Sequence, residues 1–101
     1  MSLKYYSILK DSEDEFIERK SKFIGYAFKV ESEEMALEKL NLIKEKHRDA
    51  THNCSAYIIG EDKLIQRYSD DGEPSGTAGV PILAVLKTDD LTNDLIVVTR
   101  Y

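Results

Sequence analysis

The sequence predicts an α+β fold in which two helices cover one face of a mixed β-sheet. Residues 21–30 alternate in hydrophobicity with a period of two, which is typical of a strand. Residues 36–47 carry apolar side chains at helical spacing, and shorter β-rich segments follow them along the chain. The predicted order is strands, helix, two strands, loop, helix and strand.

The first segments all have strand character. Leu3 to Leu9 is rich in tyrosine and aliphatic residues and predicts a strand, and Glu15 to Glu18 predicts a second, short one. Ser21 to Val30 gives the clearest strand signal of the chain, because its large apolar residues occupy every second position.

A helix is predicted to begin just after Ser32, whose hydroxyl can cap exposed backbone amides. Ala36, Leu40, Ile43 and His47 then follow at spacings of four, three and four residues. This spacing places them on one face of a helix of about four turns.

Two further strands are predicted at Cys54 to Ile59 and Leu64 to Tyr68, joined by a turn around Gly60. The segment from Asp70 to Pro81 contains three of the five glycines and both prolines, so it predicts an irregular loop.

The chain ends with a second helix and a strand. Pro81 is suited to the first turn of a helix, where its missing N–H leaves no bond unmade, and Ile82 to Leu86 supplies apolar residues. Leu95 to Val98 is predicted to be a buried strand.

Composition excludes several classes of protein. The 101 residues include 14 basic and 19 acidic side chains, a formal charge of −5, which argues against a protein that coats nucleic acid by charge alone. Neither an apolar segment long enough to span a membrane nor a secretory signal pattern occurs, so no membrane partner is expected. A single cysteine, Cys54, excludes an internal disulfide and predicts a cytoplasmic protein.

Two basic clusters interrupt the acidic background and could bind phosphates. One consists of Arg19, Lys20 and Lys22, and the other of Lys44, Lys46 and Arg48. The favoured interpretation of the second is structural, because cations in the last turn of a helix interact favourably with its dipole.

His52 and Cys54 lie two residues apart and would share one face of a strand. Both can bind zinc, but the sequence has no second pair to complete a structural site, so we expect neither a metal nor a cofactor. A catalytic Cys–His pair is a weaker alternative than a buried thiol beside a hydrogen-bonded histidine.

Asp70, Asp71 and Glu73 place three carboxylates within four residues. They could bind a divalent cation or act as acid and base, although the spacing is not that of an EF-hand. Acidic residues in a loop rich in glycine and proline more often cap turns and helix starts, which is the favoured interpretation.

The same segment carries Gly72, Gly76 and Gly79, together with Ser75 and Thr77. Their backbone amides could bind an anion ahead of a helix N-terminus. The alternative is that small residues here let the second helix pack closely on the sheet.

The run from Tyr68 to Pro81 closely resembles the signature of the IMPACT family, with the pattern D-D-G-E-P-x-G-T-A-G-x-P. Supporting matches are Lys20 to Ile24, Ala50 to Tyr57 and Val97 to Tyr101. The resemblance implies a fold similar to the second domain of the small-subunit ribosomal protein S-five, a mixed sheet backed by two helices.

The resemblance also implies that residues 1–101 are a single N-terminal IMPACT-type domain that is incomplete at its C-terminus. Members of the family continue from R-Y into F-G-G, and bacterial members add a ferredoxin-like domain.

From this resemblance we expect a non-enzymatic regulatory or binding domain associated with translation, with a protein of the translation machinery as partner. The expected binding surface consists of Asp70, Asp71, Gly72, Glu73, Pro74, Gly76, Thr77 and Gly79, with His52, Arg67 and Arg100. One alternative is RNA or ribosome binding through the glycine loop and the basic clusters. Another is a hydrolase-like enzyme that uses the loop carboxylates with His52. The oligomeric state is left open.

Overall fold

The computed structural model describes residues 11–18, 20–73 and 78–101. Five strands and two helices lie within them, listed here in chain order: β1 (Ser12–Glu18), β2 (Ser21–Lys29), α1 (Glu33–Lys46), β3 (His52–Ile59), β4 (Ile65–Ser69), α2 (Gly79–Thr88) and β5 (Asp94–Arg100). The predicted strand at residues 3–9 lies outside the described residues.

Most elements lie where the sequence predicted them. Ser32 is the N-cap of α1, and its Oγ accepts a hydrogen bond from the Met35 amide at 3.1 Å. β1 and β3 begin earlier than predicted, and α2 begins at Gly79, two residues ahead of Pro81. The α+β class, with one sheet and two helices, is confirmed.

The prediction of a mixed sheet is wrong in detail, because every strand pair described is antiparallel. The strand order is β1-β2-β5-β3-β4. β2 and β3 point in the same direction, but β5 runs between them in the opposite direction, so the two never become neighbours.

The two helices lie on opposite faces of the sheet, which corrects the prediction that both cover one face. Tyr57 and Ile59 of β3 pack in the same cluster as Leu40 of α1. Ala56 and Ile58 pack with Leu86 of α2. Since successive strand residues point to opposite faces, α1 and α2 cover different sides of β3.

The physical reason lies in β3, which is buried along both faces from residue 53 to residue 59. A strand that is apolar on both faces needs a cover on each side, whereas one helix can shield only one. Within the part of the chain that the structure describes, neither helix is long and apolar enough to cross a membrane.

Candidate functional site

The candidate site lies at the end of the sheet where β3 begins and β5 ends. His52 and Arg100 are partners in the antiparallel register of these two strands. The residues that follow β4, Asp70, Asp71, Gly72 and Glu73, are called the acidic loop below. Because β4 runs antiparallel to β3, it delivers the acidic loop to the same end as His52.

Asp70 holds the start of α2. Its Oδ1 accepts hydrogen bonds from the amides of Ala78, at 3.1 Å, and Gly79, at 2.6 Å. Ala78 occupies the N-cap position and has no side chain able to accept these bonds, so Asp70 performs this role from eight residues upstream. The favoured interpretation of the loop acids as capping groups describes Asp70 correctly.

Asp71 fastens the acidic loop to β3. Its Oδ2 accepts the Asn53 amide at 2.6 Å, and its backbone carbonyl accepts a hydrogen bond from His52 Nδ1 at 2.8 Å. Its Oδ1 lies 3.7 Å from Lys44 Nζ of α1. Asp71 and Gly72 have φ angles of 48° and 91°, so the turn places both in the left-handed region, which glycine adopts with least strain.

Glu73 is the acidic-loop carboxylate that points toward the α2 face of the sheet. Its Oε1 lies 3.3 Å from Arg100 Nη1 and 3.7 Å from His52 Nε2. The Glu73 side chain is 15% exposed and that of Arg100 46%, so this pair stands at the boundary between protein and solvent.

A cavity of about 210 Å³ opens beside this pair, between α2 and the ends of β2, β3 and β5. Among the described residues, its lining apart from Glu73 and Arg100 is apolar or weakly polar and consists of Phe23, Cys54, Ala78, Pro81, Ile82 and Val98. The cavity can accommodate an apolar side chain, while the guanidinium and the carboxylate at its mouth offer contacts of either charge.

Cys54 is a free, buried cysteine in the wall of this cavity. Burial, assisted by the nearby carboxylates of Glu73, Asp71 and Asp70, raises the pKa of its thiol to about 12. The Sγ donates a hydrogen bond to the Asp70 carbonyl at 3.3 Å. The thiol is therefore protonated at neutral pH, the opposite of what a catalytic nucleophile requires.

Arg67 lies apart from the other predicted site residues. It is the register partner of Tyr57, on the α1 face of the sheet, and its Nε lies 3.3 Å from Glu33 Oε2. The same Glu33 oxygen accepts the Tyr57 hydroxyl at 2.5 Å.

Gly79 serves close packing at the start of α2. A Cβ at this position would lie 2.5 Å from Tyr68 Cδ1 and 3.1 Å from the Ser69 carbonyl carbon, so a larger residue would displace the helix from β4. The predicted site residues Pro74, Gly76 and Thr77 lie outside the described residues.

Asn53 is a site residue that the sequence reasoning missed. Besides its amide bond to Asp71, its Nδ2 donates to the His47 carbonyl at 3.2 Å and its Oδ1 accepts the Thr99 hydroxyl at 2.6 Å. Its side chain is buried. The available signal was a polar residue directly before the predicted strand at Cys54, where the chain enters the core and a buried polar group needs partners.

No group of three or more His, Cys, Asp or Glu side chains is arranged to hold a metal ion among residues 11–18, 20–73 and 78–101. Instead, Asp70 caps α2, Asp71 accepts a backbone amide of β3, and Glu73 forms an ion pair with Arg100.

Comparison with known proteins agrees with this architecture. The family model of the Impact N-terminal domain matches residues 19–101. The chain belongs to the IMPACT family. The match covers β2 to β5, both helices and the acidic loop.

The IMPACT family member YvyE of Bacillus subtilis is 50% identical over 97 residues, which span 96% of this chain and 45% of that protein. The family member YigZ of Escherichia coli is 38% identical over 85 residues, or 82% of this chain and 42% of that protein. This chain therefore spans less than half the length of these IMPACT relatives.

Two solved structures resemble the fold. One, described as a hypothetical protein, superposes with a TM-score of 0.87 and 34% identity over 92% of this chain and 46% of its own. The other is the two-domain translational regulator Yih1, with a TM-score of 0.72 and 35% identity over 87% of this chain and 35% of its own.

Proposed function

We propose that this chain is a non-enzymatic binding domain that acts in translational regulation, in the cytoplasm, by contact with a protein of the translation machinery. Its binding surface would be the acidic loop together with His52, Arg100 and the adjoining cavity. The likeness to the translational regulator Yih1 over 87% of the chain supports a role in translational regulation. The buried free thiol of Cys54 fits a reducing compartment.

All three carboxylates of the acidic loop are bonded within the domain, and this observation is the main support for protein binding. Asp70 caps α2, Asp71 holds β3, and Glu73 pairs with Arg100. A loop fixed in this way presents one preorganised shape, which lowers the entropic cost of docking a partner.

The charged side chains favour this proposal over RNA binding. Arg67 lies beside Glu33, Arg100 beside Glu73, and Lys44 beside Asp71, each within 3.7 Å. A phosphate backbone would have to compete with these carboxylates, in a chain whose formal charge is −5.

A hydrolase-like mechanism has less support. Glu73 and His52 do approach one another, at 3.7 Å, but Glu73 also pairs with Arg100 and His52 Nδ1 is used by the Asp71 carbonyl. The Cys54 thiol is protonated at neutral pH, so it is not an activated nucleophile.

The test is a quantitative affinity capture with the tagged protein as bait, followed by mass spectrometry of the retained proteins. The informative variant is Glu73→Gln, which keeps the size of the side chain and removes its charge. Glu61→Gln is the matched control, because Glu61 is exposed in the turn after β3, at the opposite end of the sheet. We expect proteins of the translation machinery to be enriched by the wild type and the control, and reduced at least about tenfold with Glu73→Gln.

Equal capture by both variants would remove the acidic loop from the binding surface, and no enrichment of translation proteins would overturn the proposal. Two further conditions distinguish direct protein binding from binding through RNA. These are nuclease treatment of parallel samples and washes between about 50 and 200 mM salt. Capture that disappears on nuclease treatment would favour RNA binding.

A further inference from the structure

A buried histidine at the end of α1 connects three elements outside the candidate site. His47 is the C-cap of α1, the residue is 7% exposed, and its ring lies between two tyrosine hydroxyls. Nε2 is 2.6 Å from the Tyr26 hydroxyl of β2, and Nδ1 is 2.5 Å from the Tyr101 hydroxyl just beyond β5.

The direction of these hydrogen bonds follows from their neighbour Asp49. The Tyr101 hydroxyl donates its proton to Asp49 Oδ1 at 3.0 Å, so its oxygen is left to accept a proton from His47 Nδ1. Nε2 is then the unprotonated nitrogen, and it accepts the Tyr26 hydroxyl. When the imidazole is neutral, each hydrogen-bond donor in the series from Tyr26 through His47 and Tyr101 to Asp49 therefore has an acceptor.

A protonated imidazole does not fit the same arrangement. Both ring nitrogens would carry hydrogens, and the new one on Nε2 would face the hydroxyl hydrogen of Tyr26. Tyr26 is 4% exposed, so its hydroxyl would have to reorient within the protein interior and leave a buried polar group without its present partner.

Burial, more than the surrounding charges, favours the neutral form of His47. Burial lowers the pKa of His47 below its usual value, and Lys46 of α1 and Lys22 of β2 act in the same direction. Asp49 and Glu13 of β1 act in the opposite direction, but the pKa remains below its usual value. The facing residue of β3, Asn53, is uncharged.

The backbone of His47 links this cluster to the acidic loop. Its carbonyl accepts the Ala50 amide at 3.1 Å and the Asn53 side-chain amide at 3.2 Å. The Asn53 backbone amide in turn donates to Asp71 Oδ2 at 2.6 Å. A single residue, Asn53, thus separates His47 from the acidic loop.

We propose that His47 is a proton-sensitive latch, which in its neutral form holds the end of α1 on β2 and the connection through Asn53 to the acidic loop, and which loosens that connection when it is protonated. The inference concerns the fold and does not depend on what the acidic loop binds. The latch at His47 could therefore be confirmed while the proposed binding function fails, and the binding function could be confirmed while the latch fails.

The direction of the pH effect follows from linkage. Because the pKa of His47 is lower in the folded state, the unfolded chain takes up the proton first as the pH falls below about 6.5. The contribution of neutral His47 to the free energy of unfolding is complete above this pH. It is lost as the pH falls from this value to the pKa of His47 in the folded state. Within this window the ratio of folded to unfolded protein should fall by up to about tenfold per pH unit.

The experiment combines an NMR titration of the two histidine rings in the wild-type chain with urea unfolding at several pH values between about 8 and 5.5. His47→Gln retains hydrogen-bonding capacity and cannot titrate, and His52→Gln is the matched control at the other histidine. We expect His47 to titrate below 6.5 in the wild type. The stability of wild type and His52→Gln should fall over this range, and that of His47→Gln should stay nearly constant.

Amide hydrogen exchange supplies the local readout. As His47 takes up its proton, the protection factor of the Asn53 amide should fall several-fold relative to that of Tyr57, further along β3. A folded-state His47 pKa at or above 6.5, or unchanged relative protection of Asn53, would overturn the proposal. Both measurements use the wild-type chain, so they remain decisive even where His47→Gln does not fold.

Discussion

Asp70 illustrates how much of the family signature is structural at the scale of single residues. Its carboxylate replaces the capping side chain that Ala78 lacks, and its carbonyl receives the Cys54 thiol. Asp71, beside it, accepts a backbone amide of β3. These adjacent acids therefore perform two different tasks, because neighbouring residues in a turn point in different directions.

Replacement of Asp70 by alanine should lower the free energy of unfolding by about 1 kcal/mol, since two amides at the start of α2 lose their acceptor. Asp70→Asn keeps a side-chain oxygen within reach of the same two amides. Its loss of unfolding free energy should be less than half that of Asp70→Ala. Urea unfolding followed by circular dichroism measures both variants. Equal losses from the two would mean that the cap is not the source of the stabilisation.

Gly72 is required for its backbone conformation, with φ at 91°. Gly72→Ala should destabilise the protein by about 1 kcal/mol, because an L-residue is strained in this region. Gly25→Ala is the control: Gly25 has no positive φ, and an added Cβ would meet nothing nearer than the Asp14 carbonyl oxygen at 4.0 Å. It should be neutral or slightly stabilising. Thermal unfolding of the two variants distinguishes a conformational effect from a general effect of added methyl groups.

At the scale of elements, β3 and α2 determine how the site is built. β3 supplies His52 and Cys54 to the α2 face and Asn53 to the α1 face, so one strand serves both sides of the sheet. α2 is strongly apolar, yet only Gly79 and Leu86 of its residues are buried. Leu86, which is inaccessible to solvent, is therefore its main anchor on the sheet.

Leu86→Ala should cost about 2–5 kcal/mol of unfolding free energy, since it removes a fully buried side chain between α2, Ala56 and Ile58. Val85→Ala, one position earlier and 51% exposed, should cost less than about 0.5 kcal/mol. Both values are obtained from urea denaturation. Similar losses at the two positions would contradict the placement of α2 on the sheet.

At the scale of the whole molecule, the two apolar clusters share their central strands. Val97 of β5 belongs to the cluster under α1, whereas Ile96, its neighbour in the chain, packs against the cluster under α2. Neither face can therefore lose β3 or β5 without exposing the other. We expect the domain to unfold as one cooperative unit.

Two probes on opposite faces test this cooperativity. Cys54 reports on the α2 face, where its buried thiol, with a pKa of about 12, should react with a thiol reagent only after unfolding. The NMR ring signals of Tyr26 and Tyr57 report on the α1 face. The two signals should change at the same urea midpoint. Reaction of Cys54 at lower urea would indicate that α2 opens independently.

Much of the fold follows from local patterns in the chain. The period of two in residues 21–30 corresponds to β2, and the Ser32 hydroxyl caps α1 as its position predicts. The glycine-rich segment after β4 is irregular as far as residue 73. These features depend on interactions between residues that are close in sequence, which is why the sequence alone reveals them.

The arrangement of the site depends on contacts between distant residues. Arg67 and Arg100 look equivalent as sequence letters, but Arg67 lies opposite Tyr57 on the α1 face, while Arg100 lies opposite His52 at the acidic loop. Strand register determines this difference, because a shift of one residue would turn each side chain to the other face.

The sequence by itself determined the α+β class, the positions of most elements and the family. Only the tertiary structure decided that β5 runs between β2 and β3, that the helices cover opposite faces, and that Asp70, Asp71 and Glu73 have separate partners. The physical reason is that hydrophobic periodicity and capping act within a few residues of chain. Strand order, register and the choice of hydrogen-bond partners are instead settled when the elements compete to bury the same surfaces.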